Sequence, residues 1–242
     1  LDRYARHIVL RDIGGSGQSR LLQSHVLLIG AGGIGCPAIQ YLAAAGVGTI
    51  SAVDDDVISL SNLQRQVLYS EAQIGQPKVD AAAEAVRRLN PDVIFHAIKE
   101  RITAQTSTHI LEGVDVVIDG SDNFATRLIV NDLCIAAHVP LVSAAIGQFH
   151  GQIGTFRGWE ADAPCYRCFV GDAFDAEDCD TCAADGVLGA MAGMVGTLAA
   201  MHAIRVLLAG HAAFGKPQWG RLQLIDGLDP SMRALKIAKD AA

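Results

Sequence analysis

The sequence is poor in aromatic and charged side chains. Aromatic residues make up 5% of its 242 residues and charged residues 19%, whereas half of the chain is hydrophobic. A chain of this kind is not expected to be disordered as a whole, because disordered chains are polar and highly charged. Its length is sufficient for one large domain, or for one domain with a small appendage.

A basic surface is also missing, since the formal net charge is −7. This charge argues against nucleic acid as the main partner. The imbalance is local: from Glu160 to Asp185 there are eight acidic residues and one basic residue, Arg167. We predict that this acidic segment is a mobile crossover loop, because it is charged, long and without periodicity.

Neither a secretion signal nor a membrane span is predicted. The first residues show apolar side chains at helical spacing and no basic-then-apolar leader, so we expect a cytoplasmic protein. The apolar stretch from Gly186 to Gly210 carries His202 and Arg205, and its uncharged part ends at Met201. Because about 20 apolar residues are needed to cross a bilayer, we predict a buried helix here, packed closely on a neighbour.

Strands and helices alternate as far as Gly147. Strands are predicted at 26–29, 49–53, 93–98, 114–118 and 141–145, and helices at 2–10, 36–45, 78–89, 104–111 and 124–137. A Gly/Ser stretch at 14–17 is expected to end the first helix. The alternation predicts an α/β fold with a Rossmann-like, largely parallel sheet and helices on both faces. Residues 152–156 and 221–225 are predicted to extend the sheet with antiparallel strands.

A glycine-rich turn follows the first predicted strand. Gly30, Gly32 and Gly35 form a G-x-G-x-x-G pattern, which allows a tight turn, close backbone approach to a ligand and close helix packing. Asp54 ends the second strand, where a carboxylate accepts hydrogen bonds from a ribose hydroxyl. The pattern predicts a nucleotide site without identifying the nucleotide.

Two cations, Arg65 and Lys78, follow the predicted ribose carboxylate. A dinucleotide pyrophosphate is bound mainly by backbone amides. A triphosphate whose charge is redistributed during reaction benefits from side-chain cations. The two residues therefore favour ATP, although either alone would more often be an ordinary surface residue.

Asp122 stands just beyond a predicted strand, where open α/β sheets bind ligands. Two roles are open for it. It is suited to cap the helix that begins near Phe124, and it is suited to bind Mg²⁺ beside a triphosphate. Capping and metal binding could also be divided between Asn123 and Asp122, respectively.

Together these residues resemble the ThiF/MoeB/HesA family, bacterial relatives of ubiquitin-activating enzymes. The resemblance runs from Arg3 to about Leu235. Its motifs are Arg3-Tyr4-Ala5-Arg6-His7, Gly30-Ala31-Gly32-Gly33-Ile34-Gly35, Asp54-Asp55-Asp56, Ser61-Asn62-Leu63-Gln64-Arg65-Gln66, Gly75-Gln76-Pro77-Lys78, Asp122-Asn123 and Cys165-Tyr166-Arg167-Cys168. The segment 61–66 with the downstream Lys78 is highly specific, whereas the glycine motif is not.

The resemblance implies an enzyme that uses Mg-ATP to adenylate the C-terminal Gly-Gly carboxylate of a ubiquitin-like sulfur-carrier protein, of ThiS or MoaD type, with release of pyrophosphate. It implies a homodimer in which Arg6 reaches the triphosphate of the other subunit. Residues 1–242 would form a single adenylation domain. Its nucleotide-binding part would cover about 1–147, and its carrier-binding, Cys-rich part about 148–242.

By matched position, Asp54 would hold the ribose and Asp122 would bind Mg²⁺. The phosphates would lie on Asn62, Arg65 and Lys78. Catalytic roles fall to Asp122, Arg65, Lys78, Arg6 and Cys182. The nucleotide-binding residues that the resemblance implies are Gly30, Gly32, Gly33, Asp54, Ser61, Asn62, Leu63, Gln64, Arg65, Lys78, Asp122 and Asn123.

The cysteines allow alternatives. Cys165 and Cys168 match a pair that binds structural Zn²⁺ in the family together with a second C-x-x-C pair near the C-terminus, which this sequence does not show. In a second arrangement, Cys165, Cys168, Cys179 and Cys182 form one four-thiolate zinc site. Cys182 also matches a cysteine that couples covalently to the carrier in ThiF-type relatives, and we prefer this role. Cys36 is expected to be a small core residue.

Three other functions stay open. A nicotinamide-dependent oxidoreductase is the default for a glycine fingerprint, but it leaves Arg65 and Lys78 without a purpose. A family relative that acts on modified tRNA, as an ATP-dependent dehydratase, would require a basic surface. A non-catalytic scaffold is disfavoured because Asp54 and Asp122 are also intact.

Overall fold

The computed structural model describes residues 2–171 and 186–240. The predictions for Cys179 and Cys182 fall outside the described residues. Of the segment from Glu160 to Asp185 that is predicted to be a mobile crossover loop, residues 172–185 also lie outside the described residues.

In the described parts of the chain, one eight-stranded sheet has the order β3-β2-β1-β4-β5-β6-β7-β8. The strands are β1 (His25–Ile29), β2 (Thr49–Val53), β3 (Ile94–Ile98), β4 (Val116–Asp119), β5 (Leu141–Gly147), β6 (His150–Phe156), β7 (Arg221–Asp226) and β8 (Ser231–Lys236). Strands β1 to β5 are parallel, and β6 to β8 continue the sheet antiparallel. The predicted fold class is confirmed.

Helices cover both faces of this sheet. They are α1 (Ala5–Ile8), α2 (Gly14–Leu22), α3 (Gly35–Ala45), α4 (Lys78–Leu89), α5 (Phe124–Ala137), α6 (Arg167–Val170) and α7 (Gly189–Leu207). Short 3-10 turns lie at Asp2–Tyr4, Leu60–Asn62, Glu71–Gln73 and Thr108–Leu111. Alternate side chains of β1 enter two separate cores: Val26 and Leu28 pack with α3, α4 and α7, whereas Leu27 and Ile29 pack with α5.

The prediction that the Gly/Ser stretch at 14–17 ends a helix is wrong, because this stretch opens α2. A Cβ at Gly17 would lie 3.0 Å from Ile13 and 3.2 Å from Ala212, so a close tertiary contact is made here. This packing outweighs the low helix propensity of glycine.

Two further elements, the segment 104–111 and strand β8, differ from the prediction. The helix predicted at 104–111 is reduced to the turn Thr108–Leu111. The Thr106 hydroxyl accepts from the Thr103 N–H and the Thr103 hydroxyl from the Gln105 N–H, so side chains form a local turn here in place of a helix. Strand β8 is not predicted from the sequence. It is an exposed edge strand, so its side chains lack the alternation that marks a half-buried strand.

Helix α7 is the one helix in the described ranges that is long and apolar enough to cross a membrane by length and composition. It packs on α3, β5 and β6. Gly196 lies against the Ile34 carbonyl and Gly189 against the Gln64 carbonyl, and a Cβ at either position would collide with that oxygen. The prediction of a buried, closely packed helix is therefore confirmed.

The boundary predicted near Gly147 falls in the hairpin that joins β5 to β6. Residues on both sides of it pair in one continuous sheet. The antiparallel strands thus place their side chains directly beside the carboxyl ends of the parallel ones.

Candidate functional site

The glycine turn joins β1 to α3 at the carboxyl edge of the parallel strands. Gly30 has a φ of +90°, a conformation that other residues rarely adopt. Gly35 lies so close to the Gly30 carbonyl that a Cβ would collide with it. Backbone atoms therefore form this wall of a cavity, as in the nucleotide sites that this glycine pattern predicts.

Asp54 lies beside the turn at the end of β2. Its carboxylate accepts hydrogen bonds from the N–H groups of Ala31, at 2.8 Å, and Asp56, at 2.9 Å. The side chain is only 9% exposed. Burial raises the pKa of Asp54, and the nearby Lys78 ammonium offsets this effect only in part. The carboxylate is thus fixed where a ribose is predicted.

Lys78 is the first residue of α4 and is buried. Its ammonium lies 2.6 Å from an oxygen of Asp56 and 3.9 Å from an oxygen of Asp54. The two carboxylates differ, because the Asp56 side chain is 68% exposed. Lys78 is therefore held in the cavity wall mainly by an acidic partner that remains in contact with solvent.

Arg65 is held by the 3-10 turn that begins at Leu60. Its Nη1 donates to the Ser61 carbonyl at 2.9 Å. In the same turn the Asn62 side chain accepts from the Ser59 N–H at 3.2 Å, which closes a capping box. Local hydrogen bonds thus fix the segment that presents Arg65 and Asn62 to the cavity.

The two roles considered for Asp122 are divided in the structure. Asn123 caps α5, because its side-chain oxygen accepts from the Thr126 N–H at 2.8 Å. Asp122 is exposed and forms no ion pair with the described residues. Its carboxylate is therefore available for another partner at the cavity.

These elements surround a cavity of about 260 Å³, called the nucleotide cavity below. The predicted nucleotide-binding residues that line it are Gly30, Gly32, Gly33, Asp54, Asn62, Gln64, Arg65, Lys78 and Asp122. Ser61 and Leu63 do not line it, and Asn123 lines an adjoining cleft instead. Arg6 is exposed on α1 and does not line the nucleotide cavity of its own chain.

Several wall residues were not predicted as site residues. They include Gln66, Gly120, Ser121, Arg127, Ile146 and Val187. Gln66 stands in a motif quoted above, and Arg127 lies one helical turn beyond the cap of α5, so the segment 121–127 carries a signal for it. Ile146 and Val187 are brought in by β5 and by the chain before α7, which no local pattern reveals.

A second cavity, of about 470 Å³, adjoins the first and is called the strand cavity. In the adjacent strands β6, β7 and β8, Gln152, Leu224 and Arg233 stand side by side in register and line it. The strand cavity shares Asp122, Arg127 and Ile146 with the nucleotide cavity; we call these three residues the junction.

Cys165 and Cys168 lie together at the start of α6, with their sulfur atoms 3.6 Å apart. Burial would raise the pKa of the Cys168 thiol, but hydrogen bonds from the N–H groups of Asp240 and Cys165 outweigh it and lower this pKa. Cys36 and Cys134 are buried, as a core role requires, and burial raises the pKa of Cys36 to about 12. A reactive role is not indicated for these two thiols.

The glycine turn, the fixed carboxylate and the cations define a nucleotide-binding protein with a Rossmann-type sheet. The chain belongs to the ThiF family, whose profile matches residues 4–242. The family predicted from the sequence is thereby confirmed.

Curated relatives agree with this assignment. The chain is 41% identical to a sulfur carrier protein adenylyltransferase of Thermus thermophilus, covering 99% of this chain and 88% of that one. It is 40% identical to the molybdopterin-synthase adenylyltransferase of Escherichia coli, covering 98% and 93%. It is 50% identical to the SAMP-activating enzyme E1 of Haloferax volcanii, over 72% of this chain and 63% of that one.

Among solved structures, MccB of Escherichia coli with ATP has the same fold, with a TM-score of 0.81 and 21% identity, over 100% of this chain and 73% of that one. The adenylyltransferase activity predicted from the sequence is confirmed by the named relatives, and ATP is supported as the nucleotide. The same relatives give no support to the nicotinamide-dependent alternative.

Proposed function

We propose that this protein uses ATP to adenylate the C-terminal Gly-Gly carboxylate of a ubiquitin-like sulfur-carrier protein. The observation that carries the proposal is the junction, where a polar cavity lined by Arg65, Lys78 and Arg127 opens into a larger and more apolar one. Two substrates that must react with each other need two such cavities and one meeting point.

The nucleotide would lie with its ribose on Asp54 and its phosphates on Asn62, Arg65 and Lys78. Asp56 is the exposed partner of Lys78, so phosphate oxygens can replace it while Asp56 moves into solvent at a small desolvation cost. Arg65 retains unused N–H donors that suit a bidentate phosphate contact.

The carrier tail would occupy the strand cavity. Gly147 lines it and has open space where a Cβ would stand, so the end of β5 leaves room for an extended chain there. A tail that ends in two glycines is narrow enough to continue to the junction. Exposed apolar residues at the turn of the β7–β8 hairpin, Leu228 and Met232, lie next to cavity residues and offer a surface for the body of the carrier.

At the junction, a carboxylate oxygen of the tail attacks the α-phosphorus of ATP. The new bond joins this oxygen to phosphorus, and the bond to the β-phosphate oxygen breaks, so pyrophosphate leaves with the electron pair. No proton has to move, because the nucleophile is already ionised. The protein's contribution is therefore alignment of the reactants and neutralisation of their charges.

The residues present also fit Mg²⁺. Asp122 is an exposed carboxylate at the phosphate end of the nucleotide cavity, and Mg²⁺ is bound by one or two carboxylates together with phosphate oxygens. When bound there, the ion would neutralise charge on the phosphates. Asp122 would hold it, and Asn123 would keep Asp122 in place by fixing the start of α5.

A structural zinc ion fits the cysteine pair. Tetrahedral zinc with Zn–S bonds of about 2.3 Å places two sulfur atoms about 3.8 Å apart, close to the 3.6 Å between Cys165 and Cys168. Two more ligands are needed. Cys179 and Cys182 are the alternatives within this sequence, although the covalent coupling role stays our preferred prediction for Cys182.

The homodimer and the role of Arg6 stay part of the proposal. Arg6 is exposed, and the apolar Val9 (73% exposed) and Leu10 (50% exposed) follow it, which is a surface suited to a second copy. If Arg6 acts across subunits, co-expressing Arg6→Ala with Asp122→Ala chains gives mixed dimers in which one of the two sites is intact. Random pairing makes about half of the dimers mixed, so about a quarter of the activity would be recovered. If Arg6 acts within its own chain, no activity would be recovered.

The proposal is tested by exchange of labelled pyrophosphate into ATP. We expect exchange only with a carrier that ends in a Gly-Gly carboxylate, and none with NAD in place of ATP. Exchange that does not depend on the carrier would contradict the assignment.

Cys182→Ser should retain exchange and lose any covalent carrier adduct, whereas equal loss of both would make Cys182 structural. We also keep the prediction of a cytoplasmic location.

A further inference from the structure

Arg127 is a buried cation that the roles above do not use. It lies in α5 and is 5% exposed. None of the described residues forms an ion pair with it. A buried charge without a counter-charge is costly, so its retention calls for an anion that arrives with a ligand.

The guanidinium is held in one position by backbone oxygens. Its Nη1 donates to the Ala144 carbonyl at 2.9 Å, and its Nη2 donates to the Ser121 carbonyl. Ser121 is fixed in turn by the fully buried Asp119, whose Oδ1 accepts from its N–H at 3.0 Å and from its hydroxyl at 2.6 Å. Arg127 has five N–H donors, so three remain after these two contacts.

Arg127 is one of the three junction residues, with Asp122 and Ile146. A carboxylate that enters from the strand cavity meets the negative charges of Asp122 and of the phosphates there. Lys78 and Arg65 line only the nucleotide cavity, so Arg127 is the one cation of the described residues that lines both cavities.

We propose that Arg127 binds the terminal carboxylate of the carrier tail and holds it for attack on the α-phosphorus. This inference rests on the proposed function and adds a catalytic residue to it. One carboxylate oxygen accepts from the free donors of Arg127, while the other forms the bond to phosphorus as pyrophosphate leaves. In the acyl adenylate the carboxylate charge is gone, so Arg127 no longer retains that end of the tail by charge.

The test compares carrier ending in a Gly-Gly carboxylate with the same carrier made to end in a Gly-Gly carboxamide. Binding of both is measured by calorimetry to the wild type and to Arg127→Gln. A charge-assisted pair makes wild type prefer the carboxylate by about tenfold or more, and the preference falls to within about twofold in the variant. ATP affinity, measured separately, should change by less than about threefold.

Two results would overturn the inference. An unchanged preference in Arg127→Gln means that another group binds the carboxylate. A loss of ATP affinity as large as the loss of carrier affinity means that Arg127 serves the nucleotide. If the Gln variant fails to fold by thermal melting, Arg127→Lys is used, and its preference must lie below that of wild type.

A different result would refute the proposed adenylation activity itself. If wild type shows no carrier-dependent exchange, adenylation itself is refuted, whatever Arg127 does. If wild type shows exchange and binds carboxylate and carboxamide equally, only the role of Arg127 is refuted.

Discussion

The two cavities that meet at the junction are built in opposite ways. The nucleotide cavity is small and polar, and Lys78 in its wall is already paired with Asp54 and Asp56. The strand cavity is nearly twice as large, and glycine and apolar side chains form much of its wall. The difference predicts that charge and hydrogen bonds decide binding in the first cavity, whereas in the second the shape of the wall adds to the charge of Arg127 at the junction.

The largest expected effect separates the two sites by chemistry. Asp122→Ala removes the predicted Mg²⁺ ligand, and we expect pyrophosphate exchange to fall about 10³-fold. Binding of the carrier should change little. Asp92→Ala, an exposed acidic residue outside the cavities, is the matched control. Undiminished exchange in Asp122→Ala would refute the assignment of this residue.

A smaller loss is expected at the paired cation. Lys78→Met removes a phosphate ligand and leaves Asp54 and Asp56 without their counter-charge, so exchange should fall about 10²-fold with a raised KM for ATP. The control is Lys99→Met, because Lys99 pairs with Asp80 at the surface. A rise confined to the KM for the carrier would place Lys78 at the wrong substrate.

Away from the junction, the wall of the strand cavity should respond to added bulk. A Cβ at Gly147 meets nothing within 4 Å, so there is room for a side chain at this point of the cavity wall, and Gly147→Val adds bulk there. We expect the KM for the carrier to rise about tenfold or more and ATP affinity to stay constant. Gly193→Val, also in open space, should match wild type. An unchanged KM for the carrier in Gly147→Val would exclude the strand cavity as the tail site.

The smallest effect concerns stability. His202 is buried between Thr155 (2.9 Å) and Gln223 (3.1 Å), and burial lowers its pKa from the ordinary value of about 6.5. The unfolded chain therefore binds more protons just below pH 6.5, so stability is lost as the pH falls from that value toward the lowered pKa.

His202→Gln cannot titrate, and its melting temperature should decline less between pH 7.5 and 5.5 than that of the wild type. The difference is at most about 1.4 kcal/mol, because the range extends one pH unit below 6.5. His211→Gln, at an exposed position, is the control and should decline as the wild type does. Parallel declines in wild type and His202→Gln would show that His202 is not the titrating group.

The two cavities differ in how far local sequence patterns predict them. Helices α4 and α5 have the predicted bounds, because apolar spacing and, for α5, the Asn123 cap are local signals. The glycine turn and Asp54 are also local, and they lead directly to the nucleotide cavity. The strand cavity arises from pairing between β5, β6 and β7 and from the unpredicted β8, and pairing across distant segments leaves no mark in a short stretch of sequence.

The role of Arg127 likewise depends on segments that are distant in the sequence. Its spacing from Asn123 places it on the first turn of α5, which the sequence does show. Its burial and its lack of an acidic partner depend on Ser121 and Ala144, which come from two different strand ends. Only the assembled sheet therefore distinguishes it from an ordinary helical arginine.

The contact of Gly189 with the Gln64 carbonyl seats the start of α7 directly against the 61–66 segment. Since not even a methyl group fits there, Gly189→Ala would push the 61–66 segment outward by the width of that group, and Arg65 would move with it. The position of Arg65 in the wall of the nucleotide cavity therefore depends on a helix that carries none of the predicted catalytic side chains.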